Sequence, residues 1–254
     1  MRNRDIEIYG QNFNFHGHED HYLDHLVNDG EQELKNYIEH ELKPGSVILD
    51  IGANIGYFSI LCAAREPLSN VYAIEPGELN YKFLTENIQN NDLKNIKPFN
   101  YAISNKTSQM NFFENSAWGY IDETNITGKT SLTSVLTLDD FVEKLDLEKI
   151  DLIKIDTEGF ESHIFEGGLK TINKFKPKII FEFNTFCMLA YGKRNPIDFM
   201  ELIKDNFKNI YRFKKDPQST GDLLEICSRE NLSIEALHNN IVYNGSVDNY
   251  LVYN

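Results

Sequence analysis

Cysteine, positive charge and long apolar runs are all scarce in this chain. Among 254 residues there are three cysteines, Cys62, Cys187 and Cys227, and none forms a Cys-x-x-Cys spacing. This usage argues against a disulfide-stapled secreted protein and fits a reducing cytosol. No apolar run reaches the ~18–20 residues of a membrane-spanning helix, and the polar N-terminus does not resemble a secretory signal. We therefore predict a cytoplasmic protein without a membrane span.

Acidic residues outnumber basic ones, with 39 Asp and Glu against 25 Lys and Arg and a net charge of −14. Such a surface repels polyanions, so nucleic acid is not a predicted partner. The hydrophobic content of 41% is ordinary for a globular protein. The charge therefore favours a small-molecule ligand.

Residues 46–61 pass from a short β-branched apolar run into a helical apolar pattern. Gly52 and Gly56 lie between the two, and Asp50 precedes them. This order predicts a buried strand, a tight turn and a helix. Because glycine has no Cβ, the turn can approach a ligand closely. Asp50 then lies at the carboxyl end of a strand, where open α/β sheets bind ligands.

Two further predicted strands extend this site. Residues 71–76 form a buried strand that ends at Glu75, placed to hydrogen-bond both ribose hydroxyls of an adenosine. Residues 96–103 form the next strand, and Tyr101 and Ala102 at its end are predicted to lie beside the adenine ring.

The fourth predicted core strand, residues 150–159, carries charges at its end. Lys154, Asp156 and Glu158 alternate along it, so they share one face and are predicted to point into one cleft. Pairing of Lys154 with Asp156 is the alternative, purely structural explanation. Glu182 lies near the end of a fifth strand, residues 179–183, and faces either a partner or the cleft.

Alternating strands and helices predict an α/β protein with a doubly wound sheet of about seven strands. An N-terminal extension precedes it, with a hairpin over residues 6–15 and a helix over 31–42. Two strands within residues 109–136 interrupt the alternation and predict a β insertion near the site. No linker divides the chain.

Residues 16–25 hold four of the seven histidines. A metal site is one interpretation, since imidazoles and carboxylates are good ligands. His21 and His25 are the only pair four residues apart, without a further ligand at a fixed offset, so no metal ligand is predicted there. A polar segment capping the active site is favoured, in which His21 orients or deprotonates a hydroxyl.

The turn sequence selects between adenosine cofactors. Dinucleotide folds show G-x-G-x-x-G around a pyrophosphate, whereas this chain reads D-I-G-A-N-I-G from Asp50 to Gly56. A carboxylate there repels a pyrophosphate and suits an ammonium, directly or through water. We predict S-adenosyl-methionine rather than NAD; a nicotinamide-dependent dehydrogenase is the alternative.

These motifs together resemble the FkbM family of S-adenosyl-methionine-dependent methyltransferases. The resemblance covers about residues 30–184 and rests on V-I-L-D-I-G-A-N-I-G-Y-F-S, A-I-E-P, Y-A-I-S-N, L-T-L-D-D, L-I-K-I-D-T-E-G-F-E and I-I-F-E-F. It implies a single class I domain over residues 1–254, with a cap at 1–45 and a Rossmann-like core at 46–254. Phe160 departs from the family, which more often has a small residue there. The cofactor contacts implied are Asp50, Gly52, Asn54 and Gly56 for the methionine portion, Glu75 for ribose, Tyr101 or Ala102 near adenine, and Asp156 at the reacting end.

The resemblance also implies O-methylation of a hydroxyl, and we predict a sugar, such as a sugar nucleotide or a surface-glycan precursor. A non-sugar natural product is the alternative acceptor. Asp156 and Glu158 are the predicted bases, Lys154 keeps a carboxylate ionised, and His21 is a third candidate. A divalent ion on Asp156, Glu158 and Glu182 is an alternative, as is a homodimer. The predicted acceptor residues are Glu182, Asn184 and Trp118.

Overall fold

The computed structural model describes residues 1–28, 30–116, 119–121, 130–214, 224–242, 245 and 247–254. Its strands are β1 (Arg2–Ile8), β2 (Gln11–Gly17), β3 (Val47–Ile51), β4 (Asn70–Ile74), β5 (Ile96–Phe99), β6 (Ala102–Ser104), β7 (Ser108–Phe113), β8 (Tyr120–Ile121), β9 (Thr130–Thr137), β10 (Leu152–Ile155), β11 (Lys178–Phe183), β12 (Asn209–Phe213), β13 (Leu224–Ile226) and β14 (Asp248–Tyr253). Its helices are α1 (Tyr22–Val27), α2 (Gln32–Glu41), α3 (Tyr57–Arg65), α4 (Glu78–Asn90), α5 (Leu138–Leu145), α6 (Glu161–Gly167), α7 (Leu169–Phe175), α8 (Thr185–Ala190), α9 (Pro196–Asn206) and α10 (Leu232–Val242).

The central sheet has the strand order β13-β12-β14-β11-β10-β3-β4-β5. Strands from β11 to β5 are parallel, whereas β14 runs antiparallel to both its neighbours. Successive residues of β3 point to opposite faces, so Ile48 joins one apolar core and Leu49 joins the other. The predicted doubly wound, Rossmann-like sheet is confirmed, with eight strands where about seven were predicted.

The strand order reverses direction at β3. From β3 the chain continues to β4 and β5 on one side, whereas β10 and β11 lie on the other side. In open α/β sheets, ligands bind outside the carboxyl ends of the strands at such a reversal. The glycine turn after β3 and the charged segment after β10 therefore open on the same crevice.

The N-terminal hairpin of β1 and β2 is held against α4 by asparagine side chains. The Asn14 N–H donates to Asn91 Oδ1 at 2.8 Å, and the His16 N–H donates to Asn87 Oδ1 at 2.7 Å. The fully buried Asn87 amide also donates to the Ile55 carbonyl at 2.8 Å, at the start of α3. These bonds satisfy backbone groups of β2 that a sheet partner would otherwise occupy. The predicted N-terminal extension is confirmed.

The predicted β insertion is a small second sheet in the order β6-β9-β7-β8. The single strand predicted over residues 96–103 is wrong, because β5 stays in the central sheet and β6 pairs with β9 in the small one. The side chain of Asn100 donates to the carbonyl oxygens of Glu75 and Pro76 at 2.9 and 3.0 Å. These bonds hold the connecting residues away from a continuous strand.

Other elements also differ from what the sequence suggests, because residues far apart in the chain contact each other. Strand β10 ends at Ile155 instead of continuing to 159, since Glu158 and Gly159 take φ values of 52° and 100°. Helices α6 and α7 meet at Gly168, where a Cβ would lie 2.6 Å from Leu138. Helices α8 and α10 had no predicted counterpart. None of the helices that the structure describes has the length and apolar composition to span a bilayer.

Candidate active site

A cavity of about 670 Å³ lies over the carboxyl ends of β3, β4 and β10. Tyr22 and Glu31 of the N-terminal extension line one part, and Phe112 and Ile121 of the small sheet line another. Both additions to the central sheet therefore help to enclose the crevice. The volume lies within the roughly 300–1,000 Å³ typical of small-molecule and cofactor sites.

The turn between β3 and α3 is pressed against its neighbouring strands. Gly52 has a φ of 83°, and a Cβ on it would lie 1.8 Å from the Asp156 carbonyl oxygen. The N–H groups of Gly52 and Ala53 both donate to the Ile74 carbonyl, at 2.9 and 3.0 Å. Only glycine meets the steric and conformational demands at residue 52.

Glu75 links this turn to the end of β4. Its side chain is buried, and it accepts backbone hydrogen bonds on both oxygens, from Asn54 at 2.8 Å and from Gly77 at 2.9 Å. Burial raises the pKa of Glu75 to about 7, although these two bonds act in the opposite direction. Glu75 also lines the cavity. Its carboxyl group is therefore held in one orientation before any ligand binds.

Asp50, Lys154 and Asp156 form a charge network at the cavity wall, in which Asp50 and Lys154 are buried and the Asp156 side chain is 32% exposed. Lys154 donates to Asp156 Oδ2 at 3.0 Å, and its Nζ lies 4.0 Å from Asp50 Oδ1. Burial alone would lower the pKa of Lys154, but the charges of Asp156 and Asp50 outweigh it and raise that pKa. Asp50 is fully buried, accepts from the Ser59 hydroxyl at 2.6 Å and does not line the cavity.

Three carboxyl groups line the cavity where β10 and β11 end: Asp156, Glu158 and Glu182. Burial, assisted by the charge of Asp156, raises the pKa of Glu158 to about 7, and the Cys187 thiol donates to Glu158 Oε2 at 3.1 Å. Burial also raises the pKa of Glu182 well above its usual range. The buried Oε2 of Glu182 has no hydrogen-bond partner among the described residues. Glu158 is therefore able to exchange a proton near neutral pH.

The sequence-predicted residues are brought together only in part. Lys154, Asp156 and Glu158 meet in the cavity as predicted, but a left-handed turn places Glu158, not strand alternation. Tyr101 and Ala102 also line the cavity, and Lys144 donates to the Tyr101 hydroxyl at 2.8 Å.

Three predicted residues have other surroundings. His21 lies at the cavity edge with an almost fully exposed side chain, 3.5 Å from Asp24. Gly56 begins α3 and Asn184 caps α8, and neither lines the cavity. Trp118 lies outside the described residues. The predicted ligand contacts of Asp50, Gly56, Asn184 and Trp118 stay predictions.

Glu31 and Glu161 are site residues that sequence reasoning missed. Glu31 lines the cavity from the start of α2, and burial raises its pKa to about 7. The fully buried Glu161 accepts from the Thr157 N–H at 2.8 Å and hydroxyl at 2.9 Å, which holds the turn that carries Glu158. Glu161 belongs to the quoted D-T-E-G-F-E box, so its signal was present. Glu31 had no signal in the sequence, because its position depends on how the N-terminal extension folds over the sheet.

No group of three or more His, Cys, Asp or Glu side chains that could hold a metal ion occurs in the part of the chain that the structure describes. Asp156, Glu158 and Glu182, which were one alternative metal site, line the same cavity without forming such a group. The site offers hydrogen-bonding and proton-exchanging groups at its surface.

The sheet order and the crevice at β3 define the protein as a Rossmann-like methyltransferase fold. The family model described as the Methyltransferase FkbM domain matches residues 50–204, which is more than half of the chain. The chain therefore belongs to the FkbM methyltransferase family, and the resemblance in its sequence is confirmed.

Individual relatives match over short stretches. The 31-O-demethyl-FK506 methyltransferase FkbM of Streptomyces tacrolimicus is 40% identical over 53 residues, 20% of this chain and 20% of that protein. The tRNA(Phe) (4-demethylwyosine(37)-C(7)) aminocarboxypropyltransferase of Methanocaldococcus jannaschii is 38% identical over 68 residues, 27% of this chain and 26% of that protein. These matches span about a fifth and about a quarter of the two relatives.

Among solved structures, methyltransferase FkbM from Methylobacillus flagellatus KT superposes with a TM-score of 0.49 at 15% identity. The alignment covers 93% of this chain and 56% of that one.

Proposed function

We propose that this chain transfers a methyl group from S-adenosyl-methionine to a hydroxyl of a small polar acceptor, with a sugar as the favoured class. The observation that carries the proposal is that the glycine turn, Glu75 and the carboxyl groups after β10 face one cavity. Membership of the FkbM methyltransferase family supports the same reaction class.

The residues around the turn fit an adenosyl cofactor. The missing Cβ of Gly52 lets the turn pack directly against the Asp156 carbonyl at the cavity wall, and the cavity volume is adequate for a ligand of this size. In the proposed complex, Gly52 and Asn54 bind the methionine portion, Glu75 binds the ribose hydroxyls, and Tyr101 and Ala102 enclose the adenine. The bound cofactor supplies the electrophilic methyl group.

Asp50, Gly56 and Asp156 complete the proposed cofactor site. Asp50 acts from beneath through Lys154, and Gly56 permits the close packing of α3 on α4, where a Cβ would lie 2.6 Å from Leu84. The proposed contact of Asp156 with the methionine portion is compatible with its position in the cavity wall.

The proton of the acceptor hydroxyl needs a base, because a neutral alcohol is a poor nucleophile. Asp156 and Glu158 are the proposed proton acceptors, and Lys154 stabilises the ionised form of Asp156 through their 3.0 Å contact. Alignment of the hydroxyl with the methyl group supplies much of the acceleration in such displacements. His21 has a proposed secondary role at the cavity edge.

The acceptor side is proposed to include Glu182, with Asn184 holding the start of α8 behind it. Trp118 is a further proposed contact. A sugar nucleotide and a surface-glycan precursor are the first acceptors to test, and a non-sugar natural product is the second group.

Isothermal titration with S-adenosyl-homocysteine and with NAD separates the proposal from a dehydrogenase. We expect binding of S-adenosyl-homocysteine, and binding of NAD alone would refute the proposal. An acceptor screen for S-adenosyl-homocysteine release, followed by mass analysis, identifies the product. The screen run in excess EDTA tests the divalent-ion alternative, and we expect unchanged turnover.

A further inference from the structure

The cavity wall is strongly acidic. The lining residues that the structure describes include six carboxyl groups, namely those of Glu31, Glu33, Glu75, Asp156, Glu158 and Glu182. The basic residues of the same wall are Lys154, His21 and His25. Lys154 is already bound between Asp50 and Asp156, and His21 lies beside Asp24. The protein's own cations therefore leave much of this negative charge without a counterion.

The carboxyl groups fall on two sides of the crevice. Glu75 follows β4, beside the glycine turn, whereas Glu182 lies on β11 with β10 between it and β3. Neighbouring strands lie ~4.8 Å apart, so β11 is ~10 Å from β3. The side of Glu75 belongs to the proposed cofactor site, and the side of Glu182 is left for the acceptor.

Glu182 is partly buried, and one of its carboxyl oxygens lacks a partner that would compensate for its lost hydration. Its Oε2 is buried and has no hydrogen-bond partner in the described part of the chain. The charges that face it are the carboxylates of Asp156, Glu158 and Glu161 and the more weakly acting Lys154. A carboxylate with one buried and unpaired oxygen in such surroundings is stabilised by taking up a proton or by pairing with a cation.

A metal ion is a poor choice for that cation, because the described residues provide no group of three or more ligands arranged to hold one. An organic ammonium group carries three N–H donors and tolerates carboxylates that do not converge on one point. An acceptor with a diphosphate would instead bring further negative charge to this wall.

We propose that the acceptor carries an ammonium group close to its reactive hydroxyl, as an amino sugar does, and that Glu182 binds this ammonium. The inference rests on the proposed methyl transfer and narrows its acceptor class, ranking amino sugars without a diphosphate ahead of sugar nucleotides. Asp156 and Glu158 then face the hydroxyl.

Calorimetry on the protein saturated with S-adenosyl-homocysteine tests the inference. The probes are free hexosamines, the hexoses of the same configuration and the nucleoside-diphosphate forms of those hexoses, titrated at pH 7 in two buffers that differ in ionisation enthalpy. We expect at least one hexosamine to bind about tenfold more tightly than its hexose. Its binding should release a proton from Glu182, and the diphosphate form should bind most weakly.

Glu182→Gln should abolish the preference for the hexosamine and the proton release, whereas Glu148→Gln, which changes an exposed carboxyl group outside the cavity, should keep both. Failure of every hexosamine to bind, equal binding of hexosamine and hexose, or a preference retained in Glu182→Gln overturns the inference. If Glu182→Gln does not fold, the three-probe comparison on the unsubstituted protein decides. If the unsubstituted protein does not bind S-adenosyl-homocysteine, the proposed function is refuted instead.

Discussion

The two sides of the cavity differ in how completely the protein satisfies their polar groups. Beside β3 and β4, Glu75 accepts two backbone N–H groups, and the turn N–H groups of Gly52 and Ala53 reach the Ile74 carbonyl. Beside β10 and β11, the buried Oε2 atom of Glu182 has no hydrogen-bond partner among the residues that the structure describes. The polar groups of the first side are held by hydrogen bonds before a ligand binds. The unpaired oxygen of the second side is satisfied only by a proton or by a ligand. This difference matches a constant cofactor beside a more specific acceptor.

The largest expected effect is on the preorganised side. Gly52→Ala places a Cβ 1.8 Å from the Asp156 carbonyl oxygen, so we expect affinity for S-adenosyl-homocysteine to fall about 100-fold. Gly45→Ala is the matched control, since Gly45 has a similar φ of 72° and no heavy atom within 4 Å of the added Cβ. That variant should bind normally and lose about 1 kcal/mol of stability. Equal titration curves for both variants would mean that close packing of the turn is unimportant.

Removing Lys154, the cation between the two sides, should have an effect of similar size, here on the free energy of unfolding. Lys154→Met leaves Asp50 and Asp156 without their counterion, and we expect the free energy of unfolding in urea to fall by about 3–5 kcal/mol. The comparison variant is Lys94→Met, which breaks an exposed pair with Asp92 and should cost less than about 1 kcal/mol. Similar losses in both would contradict a buried charge network.

The proton-exchanging side should set the pH dependence of turnover. Glu158 must be ionised to act as a base, so kcat should rise with pH through about 7, the pKa of that group. Glu158→Gln should lower kcat about 100-fold and remove this rise. Glu75→Gln should mainly weaken S-adenosyl-homocysteine binding and keep the pH profile. If Glu75→Gln lost the rise of kcat with pH and Glu158→Gln retained it, the assignment of the two sides would have to be reversed.

The smallest expected effect is on the pH dependence of stability, whose trend is opposite to that of kcat. Burial raises the pKa of Glu161 from 4.5 to about 7, so the folded protein binds a proton that the unfolded chain releases. This contribution is fully present below pH 4.5 and is lost as the pH rises to about 7. Glu161→Gln should therefore be more stable than the unsubstituted protein at pH 8, by about 2–3 kcal/mol in urea unfolding. Glu148→Gln should show no change, and a less stable Glu161→Gln would contradict the expectation.

Elements whose signals are local were predictable. The strand, turn and helix of residues 47–65 follow from hydrophobic periodicity and two glycines. The break between β5 and β6 was not predictable, because the Asn100 side chain bonds to carbonyl oxygens 24 and 25 residues away. The end of β10 depended on two left-handed residues that tertiary contacts stabilise.

The sequence by itself determined the glycine turn, the acidic residue after the second strand and the charged box after β10, and with them the family. Those motifs are contiguous, so their residue types and spacing are visible in one dimension. Tertiary structure alone decided that Asp50 lies behind Lys154, that Glu31 reaches the cavity and that Glu182 is left without a partner. The physical reason is that burial and neighbouring charges set the state of a carboxyl group, and both arise only when distant segments pack together.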